Sequence, residues 1–261
     1  MPRPSTLAAV VYAVVLYGFI LMPVAVLVLF SFQGGRFPIP PFNGPSLAWY
    51  QAVFADAKLT AALVNSLVVA VVSSALACVL GFLAAYGLAR FRPPGGFLAR
   101  ALITAPLAVS TLIIGLGLLM MFNMLGVPRS LLTVGIGHVV INLPLCFAIP
   151  YAQMGDHQIN VERAARDLGA SEFQVMTLVT TPMLAPGLIA AFFLSVTFSW
   201  DEFIIAFLLS RFDVTLPVEI WSLLRSGLNP KTNAVGSVVF LVSIVLVVAL
   251  ELLVFRKAAR R

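Results

Sequence analysis

Residues 161–186 read VERAARDLGASEFQVMTLVTTPMLAP, the one long polar, helix-patterned segment in a chain otherwise built of apolar runs. Val161, Ala164, Ala165 and Leu168 recur at i, i+3, i+4 and i+7 and so form one apolar stripe on a short helix. Glu162 precedes Arg166 by one helical turn on the polar side, the favourable order for an ion pair. Gly169 suits a left-handed stop because it carries no Cβ to clash there. Ser171 and Gln174 form a capping box that opens a second helix. Phe173, Met176 and Thr180 are expected to share one side of that helix, and Pro182 to close it. The segment therefore predicts two short amphipathic helices joined by a tight glycine turn, either a docking hairpin or an interfacial loop lying on lipid.

The rest of the chain is built for lipid. Its 261 residues are 61% hydrophobic and only 10% charged, against roughly 25% charged in an ordinary soluble domain. The net charge of +6 does not point to nucleic acid, because the basic residues gather at the ends of apolar runs instead of forming a stripe. Cys78 and Cys146 each lie inside an apolar run, far apart in sequence, and read as small buried hydrophobes. The two histidines, His138 and His157, lack ligand spacing, so no metal centre is expected. Tyr86, Asn123, His138 and Asn142 read as polar glue between spans rather than solute ligands. There is no Gly-x-x-x-x-Gly-Lys-Ser/Thr phosphate loop, no His-Glu-x-x-His pair and no Gly-x-Ser-x-Gly turn, so the chain is not expected to be an enzyme or to bind a cofactor itself.

Hydropathy places six spans near 7–31, 61–89, 100–123, 131–153, 184–209 and 234–255, each long enough for a bilayer core. They form a single transmembrane domain over 1–261, with a polar loop at 154–183. The first apolar run exceeds the roughly 7–15 residues of a signal-peptide core and no small-residue cleavage site follows, so it is read as a retained span. Between the first two spans, the segment around Trp49 and Tyr50 suits a short helix at the membrane surface. With the N-terminus inside, the inner side collects Arg3, Arg90, Arg92, Arg100, Arg163, Arg166, Arg256, Lys257, Arg260 and Arg261, ten of the sixteen Lys and Arg residues. That bias puts both termini and the 161–186 segment in the cytoplasm.

Two acids, Asp201 and Glu202, interrupt the fifth apolar run directly after Trp200. A carboxylate at a helix centre costs about 2.5–3.5 kcal/mol on insertion scales, so it should face an aqueous path or a partner. Either the pair snorkels or is neutralised by Arg211 or Arg225, or it forms a cation-attracting patch beside the Trp200 ring. Glu219, Trp221 and Arg225 fall on a short helix after Leu216-Pro217, read as a surface plug or a contact for a solute-delivering protein.

The 161–186 segment resembles the cytoplasmic coupling loop of ABC-importer permeases, the Glu-Ala-Ala…Gly motif with its later Leu-Pro. Ala164, Ala165, Asp167, Leu168, Gly169, Ala170 and Pro182 match. Arg163 stands at the usual Glu position, with Glu162 one place earlier, and Thr181 replaces the usual Leu. The stretch AALVNSLVVAVVSSALACVLGFLAAYGLAR, with Asn65-Ser66-Leu67 and its Gly81…Arg90 ending, resembles the start of the same family's shared core. SWDEFIIAFLLSRFDVTLPVEIWSLLRSGLNPKTNAVGSV is similar to the second permease of spermidine/putrescine-type importers, with Asp201 and Glu202 matching the acid pair and Leu216-Pro217 and Asn233-Ala234 later markers.

The resemblance implies an all-α bacterial inner-membrane permease of type I fold with six transmembrane helices. It further implies a related second permease, two cytoplasmic ATPase subunits that bind ATP and magnesium, and a periplasmic solute-binding protein. The implied solute is a polyamine, or in a nearer alternative an opine, aminophosphonate or other small amino compound. From another class, an ion-coupled secondary transporter or channel would use Asp201 or Glu202 as its coupling acid.

Overall fold

A computed structural model describes residues 4–227 and 229–258. Arg3, Arg260 and Arg261, counted above for orientation, lie outside the described residues, as do the side chains of Arg256 and Lys257. The helices in order are α1 (Pro4–Ser31), α2 (Ala48–Phe54), α3 (Ala57–Phe91), α4 (Gly96–Thr104), α5 (Thr111–Met124), α6 (Leu131–Gln153), α7 (Asp156–Asp167), α8 (Glu172–Gln174), α9 (Thr181–Trp200), α10 (Ile204–Leu209), α11 (Leu216–Ser226) and α12 (Pro230–Ala258). A 3-10 turn (Ala105–Ala108) follows α4 and a π turn (Val175–Thr180) joins α8 to α9. No β-strand occurs among the described residues. Five helices are long and apolar enough to cross a membrane, or six if one bent pair is a single span.

That pair corrects the expected third span. Instead of one rod over 100–123, Gly96–Ala108 and Thr111–Met124 meet at 111°. Pro106 starts the break, Val109 is extended, and Ser110 caps α5 by accepting from the Leu112 N–H. The fifth span is corrected too. α9 stops at Trp200, and Asp201, Glu202 and Phe203 separate it from α10. The acids therefore sit in a break between two helices and not within one.

The chain divides into two compact units, Met1–Thr60 with Glu219–Val242 and Ala61–Val218 with Ser243–Arg261. In the first, buried Gln33 organises the polar connection after α1. Its Oε1 accepts from the Asn43 N–H at 2.7 Å, its Nε2 donates to the Ile39 and Pro41 carbonyls, and its carbonyl accepts from the Trp49 indole at 2.8 Å. Tyr50 shares a hydrogen bond with Ser31. The surface helix expected around Trp49 and Tyr50 is α2, pinned by both rings. Asp56 caps α3 by accepting from the Lys58 and Leu59 N–H groups through Oδ1, while Oδ2 receives Lys231 Nζ at 2.6 Å. The Lys231 bond, reinforced by those N–H groups and opposed by partial burial, holds the Asp56 carboxyl below its usual value of 3.8.

In the second unit, α3, α6 and α9 form the centre. Phe82, Ala85, Tyr86, Phe147, Met154 and Leu184 pack as one cluster, and Val69, Phe122, Val134, Ile205, Ala206 and Leu209 as another. Between them runs a polar seam in which Ser199 meets both Ser73 and His138. Its lower part brings the two cysteines together, with Sγ atoms 3.2 Å apart. Cys146 is buried as expected and Cys78 half-buried, and the two are spatial neighbours in spite of their sequence separation. The crossing of α3 and α6 there is backbone on backbone, since a Cβ on Gly81 would lie 2.5 Å from the Cys146 carbonyl carbon. Small residues permit this approach.

Two outcomes follow. Gly81→Ala forces α3 and α6 apart and should lower stability by about 1–3 kcal/mol, visible as a lower melting temperature in detergent; an unchanged melt would mean that the two helices do not cross this closely. For Asp56, a depressed folded-state pKa gives stability that is complete above pH 3.8 and fades as pH falls through the lower folded value. The melting-temperature difference between the parent and Asp56→Asn should thus be flat from pH 7 to about 4 and shrink below it.

Candidate functional site

The 154–183 loop folds as the expected hairpin, and the local chemistry is legible. Arg166 and Leu168 wind down the end of α7, and Gly169 takes φ +90°, with its N–H on the Arg166 carbonyl. Ser171 accepts from the Gln174 N–H while the Gln174 side chain accepts from the Ser171 N–H, the reciprocal box that starts α8.

The second arm departs from expectation. Pro182 does not close it: α8, the π turn and α9 continue as one span from Glu172 to Trp200. Proline lacks an N–H and collides with the preceding turn in a regular helix, and the wider π turn just before it gives the ring room. Thr181 Oγ1 donates to the Met176 carbonyl and Thr177 Oγ1 to that of Phe173, so carbonyls of this stretch gain hydroxyl donors. The extra residue per turn also shifts the phase. Phe173 is exposed, Met176 half-buried and Thr180 fully buried, so the three do not share a side.

The hairpin's amphipathicity runs opposite to that of a soluble helix. Leu168 is 90% and Phe173 70% exposed, and Val161, Arg163, Ala164, Asp167 and Gly169 are exposed as well. One charged residue of α7 is buried instead. Glu162, wholly inaccessible, receives Arg90 Nε at 2.6 Å, Arg90 Nη2 at 3.0 Å and Thr180 Oγ1 at 2.8 Å. Arg166 stands 4.0 Å from Glu162 and forms a two-pronged pair with Glu172 at 2.6 and 3.0 Å. Tyr86 donates to Glu172 at 3.3 Å. Removing one partner from a buried pair such as Arg90–Glu162 costs about 3–5 kcal/mol.

Sequence reasoning took Arg90 only as an orientation marker and paired Glu162 with Arg166. The available signal was Tyr86 and Arg90 spaced one turn apart at the end of a long apolar run. Arg163 points away from the network, and Glu162 is the residue that makes charge contacts within the chain.

The acid pair lies at the other end of α9, roughly 30 Å away at about 1.5 Å per residue. Asp201 is the C-cap of α9 and exposed. Glu202 is half-buried, and its Oε1 accepts from the Ile205 N–H at 3.1 Å, capping α10. Among the described residues of this unit neither acid forms an ion pair, with Arg211 or any other basic side chain. Trp200 is only 2% exposed, so it presents no open aromatic face to a cation. Nearby, Thr133 Oγ1 donates to the last carbonyl of α10, Asn65 Nδ2 to the Val214 carbonyl, and Ser66 Oγ accepts from the Leu216 N–H that opens α11. On α11, Glu219 is half-buried, while Trp221 and Arg225 are exposed. His138 and Asn142 are buried on α6; His138 Nε2 and Asn142 Nδ2 have no hydrogen-bond partner among the described residues.

Comparison with known proteins gives this geometry a family. Over 239 residues the chain is 28% identical to the spermidine/putrescine transport system permease protein PotC of Escherichia coli (strain K12), covering 91% of this chain and 90% of PotC. It is 32% identical over 233 residues to the putrescine transport system permease protein PotI of the same strain, covering 85% and 82%. A crystal structure of a bacterial ABC transporter that imports the acidic polysaccharide alginate shares the fold, with TM-score 0.67 and 20% identity over 98% of both chains. Residues 77–259 match the family described as binding-protein-dependent transport system inner membrane component. The chain belongs to that family: it is a multi-pass inner-membrane permease subunit of an ABC importer.

Proposed function

We propose that this permease carries a diamine or polyamine inward, with the 154–183 hairpin as its docking element for a cytoplasmic ATPase. The observation that carries the solute reading is Asp201, an exposed carboxylate with no basic partner among the described residues of its unit, at a helix break in an apolar run. An organic cation would supply the missing charge. Relatives named for spermidine and putrescine transport support that choice. Glu202 contributes a second negative charge next to it, and the buried Trp200 ring fixes the end of α9 beneath both.

The docking reading rests on the exposed Leu168 and Phe173, apolar tips on a hairpin whose Glu162 is buried. Such tips suit a groove on a partner. In the proposed assembly both termini and the hairpin are cytoplasmic, in line with the distribution of Lys and Arg, and the chain spans the bilayer six times, counting the bent 96–124 pair as one span. A second permease subunit completes the pathway and two ATPase subunits bind ATP and magnesium below. A periplasmic binding protein delivers the solute, with Glu219, Trp221 and Arg225 on α11 as its contact. ATP binding closes the ATPase pair, the hairpins follow, and the spans open outward to receive solute. Hydrolysis resets them.

Uptake of labelled putrescine and spermidine by the whole transport assembly in proteoliposomes tests both halves. Gly169→Asp places a side chain where φ is +90°, which strains the turn, and should reduce ATP-driven uptake at least tenfold at equal membrane level. Uptake that ignores this change would remove the docking reading. Asp201→Asn should raise the apparent KM for both amines about tenfold to a hundredfold. If neither amine is carried while another solute depends on Gly169, the docking reading stands and the solute class falls.

A further inference from the structure

The hairpin's tips, Leu168 and Phe173, point outward, while Met154, Val175 and Met176 pack inward. Beside that apolar contact it is held by charge. Four separate stretches of chain converge on the two carboxylate oxygens of Glu162 and the guanidinium of Arg90. α7 brings Glu162, α3 brings Arg90, and the π turn entering α9 brings Thr180. Arg90 Nη1 also donates to the carbonyl of Met154, the residue that ends α6. Arg90 is 7% exposed and Glu162 0%. Tyr86, one turn before Arg90 on the same face of α3, donates to Glu172 on the second arm. One end of α3 therefore grips both arms of the hairpin.

We infer that the Arg90–Glu162 pair is the joint through which movement of the hairpin enters the spans, with Arg90 a positioning residue for transport. The inference rests on the hairpin being the ATPase-docking element. Two properties suit the pair to this role. The planar guanidinium engages the carboxylate through two parallel hydrogen bonds, which fixes orientation as well as distance. Burial removes the solvent that would let an exposed pair slacken. Because α3, the end of α6 and the start of α9 all touch this one ion pair, displacement of α7 acts on three spans at one point. Lysine at position 90 keeps the charge but presents no fork, so it separates positioning from mere neutralisation.

The test compares the parent, Arg90→Lys, Glu162→Gln and the double variant in proteoliposomes with the binding protein and ATPase present. Co-purification of the ATPase first establishes assembly. The readouts are putrescine imported per ATP hydrolysed and the stimulation of hydrolysis by loaded binding protein. In Arg90→Lys, basal hydrolysis, measured without binding protein, should stay within about twofold of the parent, while imported solute per ATP falls at least tenfold and stimulation by loaded binding protein is lost. The double variant should be no worse than Glu162→Gln alone, as expected for two residues of one joint. A ratio in Arg90→Lys within twofold of the parent overturns the proposal, and so does a parallel loss of uptake and basal hydrolysis, which a purely structural staple would give. Should Glu162→Gln fail to assemble, Arg90→Lys alone decides. Failure of the docking reading looks different: the parent itself would then import without ATP, or retain full uptake with Gly169→Asp.

Discussion

A backbone inside a bilayer finds no water to bond, so every interruption of a helix has to be answered by groups from the chain itself. This structure interrupts its spans repeatedly, and each interruption has local partners. Ser110 caps the restart after the bend at 111°. Thr181 and Thr177 serve carbonyls in and before the π turn. Glu202 covers the start of α10, and Thr133 covers its end. Ser66 and Asn65 support the connection into α11. These Ser, Thr, Asn and Glu residues of a 61% hydrophobic chain are thus placed where regular helix bonding fails, and that placement allows the spans to be bent.

The hairpin follows a different rule, because it is polar in composition and yet part of a membrane protein. Glu162 turns inward to meet Arg90 at the end of α3, Tyr86 reaches Glu172, and the apolar tips Leu168 and Phe173 turn outward. A soluble helix with the same pattern would bury Val161, Ala164 and Leu168 and expose Glu162. The reversal is stable because Glu162 has three donors on its two oxygens, which offsets the desolvation of a buried carboxylate. It leaves an apolar tip exposed while keeping the hairpin attached to its own spans.

Much of this was legible in the chain and some was not, for physical reasons. The two arms, the left-handed glycine and the capping box depend on neighbours within a few residues, so they can be read locally. The same holds for the apolar runs, which contain the five helices long and apolar enough to cross a membrane. Arg90 as the partner of Glu162 lies 72 residues away, and no local pattern could choose it over Arg166, four residues distant. The contact of Cys78 with Cys146 was hidden for the same reason. Hydropathy also missed the break after Trp200, because averaging over a window passes across two acids flanked by apolar residues. The π turn escaped notice since proline reads as a stop, and only the geometry around it shows how a helix passes through.

Asp201 and Glu202 occupy a break, and neither lies inside a helical rod. A side chain within a rod shares its direction with every neighbour on the same screw and cannot be exchanged without disturbing the packing of that face. Asp201, capping α9 at an exposed position, carries no such obligation. Substitution there leaves the α3–α6–α9 centre untouched, so under the role proposed for Asp201 solute preference and bundle assembly would rest on different residues. Descendants of one such permease can therefore diverge in what they carry while inheriting the same scaffold.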